Sequence, residues 1–293
     1  MHDVIVIGGS YAGMSATLQL ARARRDVLVI DGGRRRNRTA THAHGLLGLD
    51  GVPPDEIAAK GRADVLAYDT VRWRDGEVDE VRAIAGGFVV RTAGALAEAR
   101  RLILATGVID ELPDLPGLRE RWGRTVFHCP YCHGYELQRG RIGVLMTPAT
   151  ASHFVPLVSE WGTTTLFANG TPIEGERELV ARGIRIEHER VRAVEGEGPG
   201  VTVRLHDGRA IDLEGLFAVP NVRPAGPFAA QLGCALEDGP MGSIIATDAM
   251  KQTTVPGVFA CGDVARPMAS LALAIGDGML TGASVHRSLV FDA

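Results

Sequence analysis

Two thiols stand two residues apart at Cys129-Pro130-Tyr131-Cys132, with His133 directly after them. Such a pair can close into a small disulfide ring and reopen, and a helix starting there would lower the thiolate pKa through its aligned amides. The same spacing also serves zinc sites and, with the following histidine, covalent haem attachment. The choice among these rests with the elements that must hold the pair in place.

A chain of 293 residues with 45% hydrophobic side chains and 37 glycines can bury one large core or two modest ones, and two domains is the preferred reading. The formal net charge of -4 provides no general basic field for nucleic acid or an anionic membrane, so neither is an expected partner. The basic run Arg34-Arg35-Arg36-Asn37-Arg38 reads as a solvated loop unless its place after a strand turns it towards a phosphate. Four cysteines, only two of them close in sequence, do not make a disulfide scaffold and fit a reducing cytoplasm. Met1-His2-Asp3 runs straight into an apolar strand, so neither a signal peptide nor a membrane span is expected. That also argues against haem attachment.

Val4-Ile5-Val6-Ile7 is a continuous β-branched run suited to a strand buried on both faces. Gly8-Gly9-Ser10-Tyr11-Ala12-Gly13 follows, then a helical stretch from Met14 to Arg24 and a second buried strand, Val27 to Ile30, ending at Asp31. Gly8 permits a tight turn, Gly13 lets helix and strand approach, and the helix N-terminus offers amides to a pyrophosphate. Asp31 lies about 20 residues on, where a carboxylate can accept hydrogen bonds from a ribose. Ser10 replaces the usual middle glycine but can still expose its amide. Dinucleotide binding is the expectation; the plain alternative is a tight turn in an unrelated α/β domain.

Beyond Asp31 a loop carries Asn37, Arg38, His42, His44 and Gly45, and a helix is predicted from Pro54 to Tyr68. The two histidines lack an accompanying carboxylate or thiol at metal-ligand spacing, so they are read as lining a cofactor pocket. Val71 to Val81 and Gly87 to Thr92 look like strands, and Arg100 to Leu104 leads into Ala105-Thr106-Gly107 and then Leu112-Pro113-Asp114-Leu115-Pro116-Gly117.

With that Ala-Thr-Gly strand end, the chain resembles the low-molecular-weight thioredoxin reductase family of flavoproteins over nearly its whole length. Val255-Pro256-Gly257-Val258-Phe259-Ala260-Cys261-Gly262-Asp263-Val264 looks like that family's second FAD signature, followed by a helical stretch from Ala269 to Leu289. The resemblance implies an α/β protein of two dinucleotide-binding, Rossmann-like domains. Residues 1–117 and 223–293 would form a discontinuous FAD domain, with 118–222 inserted and carrying the cysteine pair. It implies FAD contacts from Gly8, Ser10, Tyr11, Ala12, Gly13, Asp31, Asn37, Arg38, His44 and Val78, and from Ala105, Thr106, Gly107, Gly262, Asp263 and Ala272. Cys132 would face the flavin and Cys129 would exchange with substrate. Where the family's reductases place an acid/base aspartate, this chain has His133, a residue able to take and return a proton near neutral pH. Its plain alternative is a solvated or structurally bonded histidine. The family also implies a homodimer.

The inserted half has the outline of a second dinucleotide fold: a strand at Arg141 to Leu145, a helix predicted from Ala149 to Trp161, and a strand at Thr164 to Phe167. Its turn, however, reads Met146-Thr147-Pro148-Ala149-Thr150-Ala151, without a glycine, and Pro148 removes an amide donor. After the second strand, Ala168-Asn169-Gly170 stands where NADPH-dependent members carry arginines. A lost nicotinamide site would send electrons in from the dithiol side. That is the direction of the thioredoxin-reductase-like dithiol oxidases of the gliotoxin and holomycin type, which Cys129 to Glu136 and His42-Ala43-His44-Gly45-Leu46-Leu47 before Asp50-Gly51 resemble. The leading expectation is oxidation of a small-molecule dithiol with O2 as acceptor and hydrogen peroxide as product. A reductase fed by NADPH or ferredoxin, a flavin redox sensor without turnover, and a zinc module are the alternatives.

Overall fold

A computed structural model of the chain describes residues 1–151 and 153–291. They form two compact units: Met1–Arg38, Gly45–Ile109 and the chain from Val222 onward make the first; Thr39–His44 and Asp110–Asn221 make the second. The sequence places the boundary at the Pro116-Gly117 turn. Leu112, Leu115 and Leu118 instead pack in the core around Val126, Leu145 and Val194, which moves the division upstream.

In the first unit, His2–Ile7 lies between Val27–Asp31 and Ala95–Leu104, parallel to both, with Ile5 opposite Leu28 on one side and Leu102 on the other. Val71–Asp75 extends the parallel sheet beyond Val27–Asp31, and Val258–Ala260 pairs in parallel with the end of Ala95–Leu104. Both faces are covered. Ile5, Ile7, Leu28 and Ile30 enter one core, while Val4, Val6, Val27 and Val29 enter another with Ala12, Ala16 and Leu20 of the helix Tyr11–Arg22. That is why these strands read as unbroken apolar runs. The long helix Leu271–Phe291 crosses the same first helix at close range: a Cβ on Gly278 would overlap the Ala12 carbonyl, and one on Gly282 the Ala16 carbonyl.

The second unit repeats the parallel arrangement on a smaller scale, in the order Arg185–Glu187, Gly162–Phe167, Arg139–Leu145, Gly215–Ala218, Val126–Phe127. A three-stranded antiparallel sheet, Val191–Glu195, Val201–Leu205 and Ala210–Leu213, completes it.

Three predicted elements change. The stretch from Val71 to Val81 is two strands, because the chain turns at Gly76 (φ +144°) and Val78 opens a hairpin opposite Thr92. The helix predicted from Ala149 to Trp161 is only Phe154–Val158, followed by a 3-10 turn at Ser159–Trp161; Ser152 within that prediction lies outside the described residues. The long terminal helix starts at Leu271, because the Ser270 hydroxyl accepts from the Leu273 amide at 3.1 Å and ends the preceding loop there.

Candidate active site

The parallel strands of the first unit end together at Ile7, Asp31, Leu104 and Ala260, and the residues just beyond them make a cradle. Gly8 sits at φ +105°, and a Cβ there would overlap the Ala105 carbonyl oxygen. A Cβ on Gly13 would in turn overlap the Gly8 carbonyl. Ser10 is the N-cap of the first helix, yet its side chain makes no capping bond, so the amides of the first turn stay open. Asp31 accepts the Gly9 amide at 3.1 Å. The Tyr11 hydroxyl donates to the Pro54 carbonyl at 3.0 Å and accepts from Asn37 Nδ2 at 3.2 Å. Burial pushes the Tyr11 phenol pKa up, partly offset by Asn37.

On the other side of the cradle, Gly262 (φ +76°) closes on the Ala12 methyl, and Asp263 pairs with Arg36 at 2.9 Å. Arg36, Asp263 and Arg266 face one hollow together with Val108, Val222 and Met241. Thr106 and Gly107 follow buried Ala105, and the Gly107 carbonyl accepts the Ala225 amide at 3.0 Å. Arg38 is exposed and bonds the Arg35 carbonyl, Ala272 is exposed on the first turn of the last helix, and Val78 packs on the core containing Val81 and Phe88. The basic run is thus not uniformly solvated, since Arg36 is only 17% exposed. Two buried polar atoms beside Tyr11, Asn37 Oδ1 and Arg35 Nε, have no hydrogen-bond partner. Open helix amides, glycines with no room for a Cβ, a carboxylate at the strand tip and unsatisfied buried polar atoms fit a dinucleotide such as FAD.

Sequence reasoning missed the charged group behind this cradle. Asp277 accepts the Gly262 amide at 2.8 Å and pairs with Arg266 at 2.9 Å and Lys251 at 3.2 Å. No local motif announces it; a single carboxylate in the otherwise uncharged run from Leu271 to Val285 is the one signal in the sequence.

In the second unit Cys129 and Cys132 form a disulfide. The helix expected beyond it is a single turn, Pro130–His133, with extended Cys129 as its N-cap, Pro130 at the first helical position and Cys132 inside it. A helix this short contributes little dipole, so the expected lowering of the thiolate pKa from that source is small. Gly134 allows Trp161 to lie against the turn, and Tyr131, 71% exposed, meets the Trp161 ring edge-on with centroids 5.2 Å apart.

His133 stacks on Phe127 with ring centroids 4.2 Å apart. Burial pushes its pKa down from 6.5 to about 4; the Cys129 carbonyl opposes that shift and His44 adds to it. The near-neutral histidine expected from sequence is therefore corrected: in the disulfide form His133 is an uncharged imidazole, and its buried Nδ1 has no hydrogen-bond partner of normal geometry. His44, expected to line the cofactor pocket, groups with this unit and pairs with Glu136 at 3.4 Å. The other two cysteines are buried. Cys261 has its thiol pKa pushed up to about 12, by burial first and by Asp277 second, and burial also raises that of Cys234.

The turn after Arg139–Leu145 is closed on itself. The Thr147 amide donates to Thr150 Oγ1 at 3.0 Å, the Thr147 hydroxyl donates to the Val219 carbonyl at 2.7 Å, and the Thr150 amide returns to the Thr147 carbonyl at 3.0 Å. With Pro148 lacking an N–H, the turn offers a phosphate few donors, and it does not fit a pyrophosphate as the first turn does. At the tip of Gly162–Phe167, Asn169 Oδ1 accepts the Val191 amide at 3.1 Å. An arginine does reach this tip from outside the neighbouring sequence: the Arg190 guanidinium lies beside Gly170, its Nε 3.1 Å from where a Cβ would stand.

Thiol-disulfide exchange linked to a flavin is the chemistry open to such a chain. Residues 2–147 and 174–278 match the pyridine nucleotide-disulphide oxidoreductase family, and the chain belongs to that family. It is a thioredoxin-reductase-like flavoprotein with FAD as prosthetic group. It is 33% identical over 307 residues to thioredoxin reductase tcpT of Claviceps purpurea, covering 99% of this chain and 95% of that one. Among solved structures it is similar to an oxidoreductase from Agrobacterium tumefaciens, at 52% identity and TM-score 0.95 over 100% and 99% of the two chains. It is also similar to HlmI, at 37% identity and TM-score 0.90 over 99% and 92%. Among the described residues no helix is long and apolar enough to cross a membrane.

Proposed function

We propose that the protein is a dithiol oxidase, closing an intramolecular disulfide in a small molecule with O2 as acceptor and H2O2 as product. The observation that carries this reading is the Thr147–Thr150 turn, whose two threonine amides and Thr147 hydroxyl are already used within the second dinucleotide fold. The unmatched stretch 148–173 of the family pattern, which holds most of that turn and the tip of the following strand, supports it.

A substrate thiolate attacks Cys129 Sγ, the Cys129–Cys132 bond breaks, and Cys132 leaves as thiolate. The second substrate thiol then displaces Cys129, releasing a cyclic disulfide and leaving both cysteines reduced. His133 Nδ1 is the open position for a proton; a thiolate formed beside it stabilises the imidazolium and raises its pKa from about 4. FAD, when bound, would supply the two-electron acceptor for reoxidation of the cysteine pair, with O2 as the final oxidant. The sum is R(SH)2 + O2 → RS2 + H2O2. Gly8, Ser10, Tyr11, Ala12, Gly13, Asp31, Asn37, Gly262 and Asp263 are the residues proposed to hold FAD. The same reading carries a cytoplasmic homodimer, and sedimentation across protein concentrations tests the dimer.

A reductase driven by a reduced nicotinamide is the second reading, favoured by Arg190 beside Gly170 and by the names of relatives. Anaerobic flavin spectra separate the two. Bleaching by a small dithiol but not by NADPH, reversed by air with peroxide formed, is the expected result; rapid bleaching by NADPH overturns it.

A further inference from the structure

Asp277 is a carboxylate 3% exposed in the second turn of Leu271–Phe291. A buried carboxylate is retained only with close partners, since desolvation costs several kcal/mol. Its two oxygens divide the work. Oδ2 accepts the Gly262 amide at 2.8 Å, while Oδ1 meets Arg266 Nη1 at 2.9 Å and Lys251 Nζ at 3.2 Å. Lys251 Nζ also donates to the Ala265 carbonyl at 3.3 Å. The short turn Gly262–Ala265, which carries Asp263, is therefore held at its first amide by Asp277 and at its last carbonyl by Lys251.

The backbone of Lys251 adds an independent observation. It lies at φ +66°, a left-handed conformation that favours glycine or asparagine, and it is 7% exposed. A long, charged side chain is kept there against local backbone preference and against burial. Such a position marks a side chain with work to do.

We propose that Lys251 and Asp277 form a clamp that fixes the Gly262–Ala265 turn and thereby sets the affinity and electrostatic environment of bound FAD. Both are positioning residues, acting through Gly262 and Asp263. The charges around the turn are Asp263 with Arg36, a neutral pair, and Asp277 with Arg266 and Lys251, which together carry one positive charge; the Cys261 thiol beside them is un-ionised. Removing Lys251 loosens the turn and removes the positive excess, which opposes both the anionic pyrophosphate and the extra charge of reduced flavin. The clamp acts whichever way electrons run, so it stands apart from the oxidase reading.

The test compares Lys251→Met, Lys251→Arg and the double variant Lys251→Met/Asp277→Asn. FAD affinity is read by flavin fluorescence on reconstituting apoprotein, the two-electron midpoint potential by dye equilibration, and apoprotein melting as a control. Lys251→Met should weaken FAD binding about tenfold and reduced-flavin binding a further tenfold, the latter equal to a potential about 30 mV more negative. Lys251→Arg should restore both. The double variant, in which Arg266 restores the single positive charge, should lose affinity like Lys251→Met while its potential returns towards the parent's. Affinity within twofold of the parent in either Met variant, or an unchanged potential in Lys251→Met, with only melting lowered, overturns the proposal. Failure of both Met variants to fold assigns the pair to the fold alone and overturns it equally.

Discussion

After His2–Ile7 the chain turns at Gly8 and enters a helix at Tyr11; after Arg139–Leu145 it turns at Met146 and reaches a helix only at Phe154. Both strands have parallel neighbours on each side, and both turns stand at the carboxyl edge where dinucleotides bind. In the first, missing side chains leave room and open amides. In the second, the Thr150 hydroxyl takes the Thr147 amide, the Thr147 carbonyl takes the Thr150 amide, and the Thr147 side chain is buried. The sheet does not need a ligand at its edge to persist, so the same fold can keep or lose a site by changes within one turn.

The most severe way to break the contrast is at the disulfide, which the proposed oxidase recycles through the flavin. Cys129→Ser should lower multiple-turnover dithiol oxidation on the order of 10^4-fold or more, measured by oxygen uptake, while FAD stays bound. Full activity in that variant would remove Cys129 from the reaction. Next, Gly13→Ala drives a methyl into the Gly8 carbonyl; thermal melting should show about 1–3 kcal/mol of lost stability and the purified protein should arrive without flavin. A flavin-loaded Gly13→Ala would mean that the first turn tolerates side chains as the second does.

Thr150→Ala frees the Thr147 amide in the second turn and should cost about 0.5–1.5 kcal/mol in denaturant titration, with FAD content unchanged. A further test is one of pH. His133 titrates near 4 in the folded chain and near 6.5 when unfolded, so its stabilisation is fully present above pH 6.5 and is lost as pH falls from there towards 4. Melting of the parent should decline across that window more steeply than that of His133→Phe, and equal slopes would show that the imidazole is not held neutral.

The first turn was legible because everything that defines it is local: a buried strand, two glycines, a helix and Asp31 fall within one short β-α-β unit. The cysteine pair was legible for the same reason. The charged clamp was not, since Lys251, Gly262 and Asp277 meet only after the last helix has packed. Arg190 escaped notice because a separate strand brings it to Gly170, and His44 because a six-residue segment leaves the first unit to join the second. The acidity of His133 depends on burial against Phe127, which no spacing rule reports.

Gly278 and Gly282 let the helix Leu271–Phe291 lie backbone against backbone on Tyr11–Arg22, the helix that begins at the open amides. On the ribosome the first of those helices ends at Arg22 long before the second begins at Leu271. Residues 110–221 emerge with all but the short Thr39–His44 piece of their unit contiguous, whereas the nascent first helix must wait for its partner. The cradle is complete only once Leu271–Phe291 has been made, because Asp277 on that helix holds the Gly262 amide.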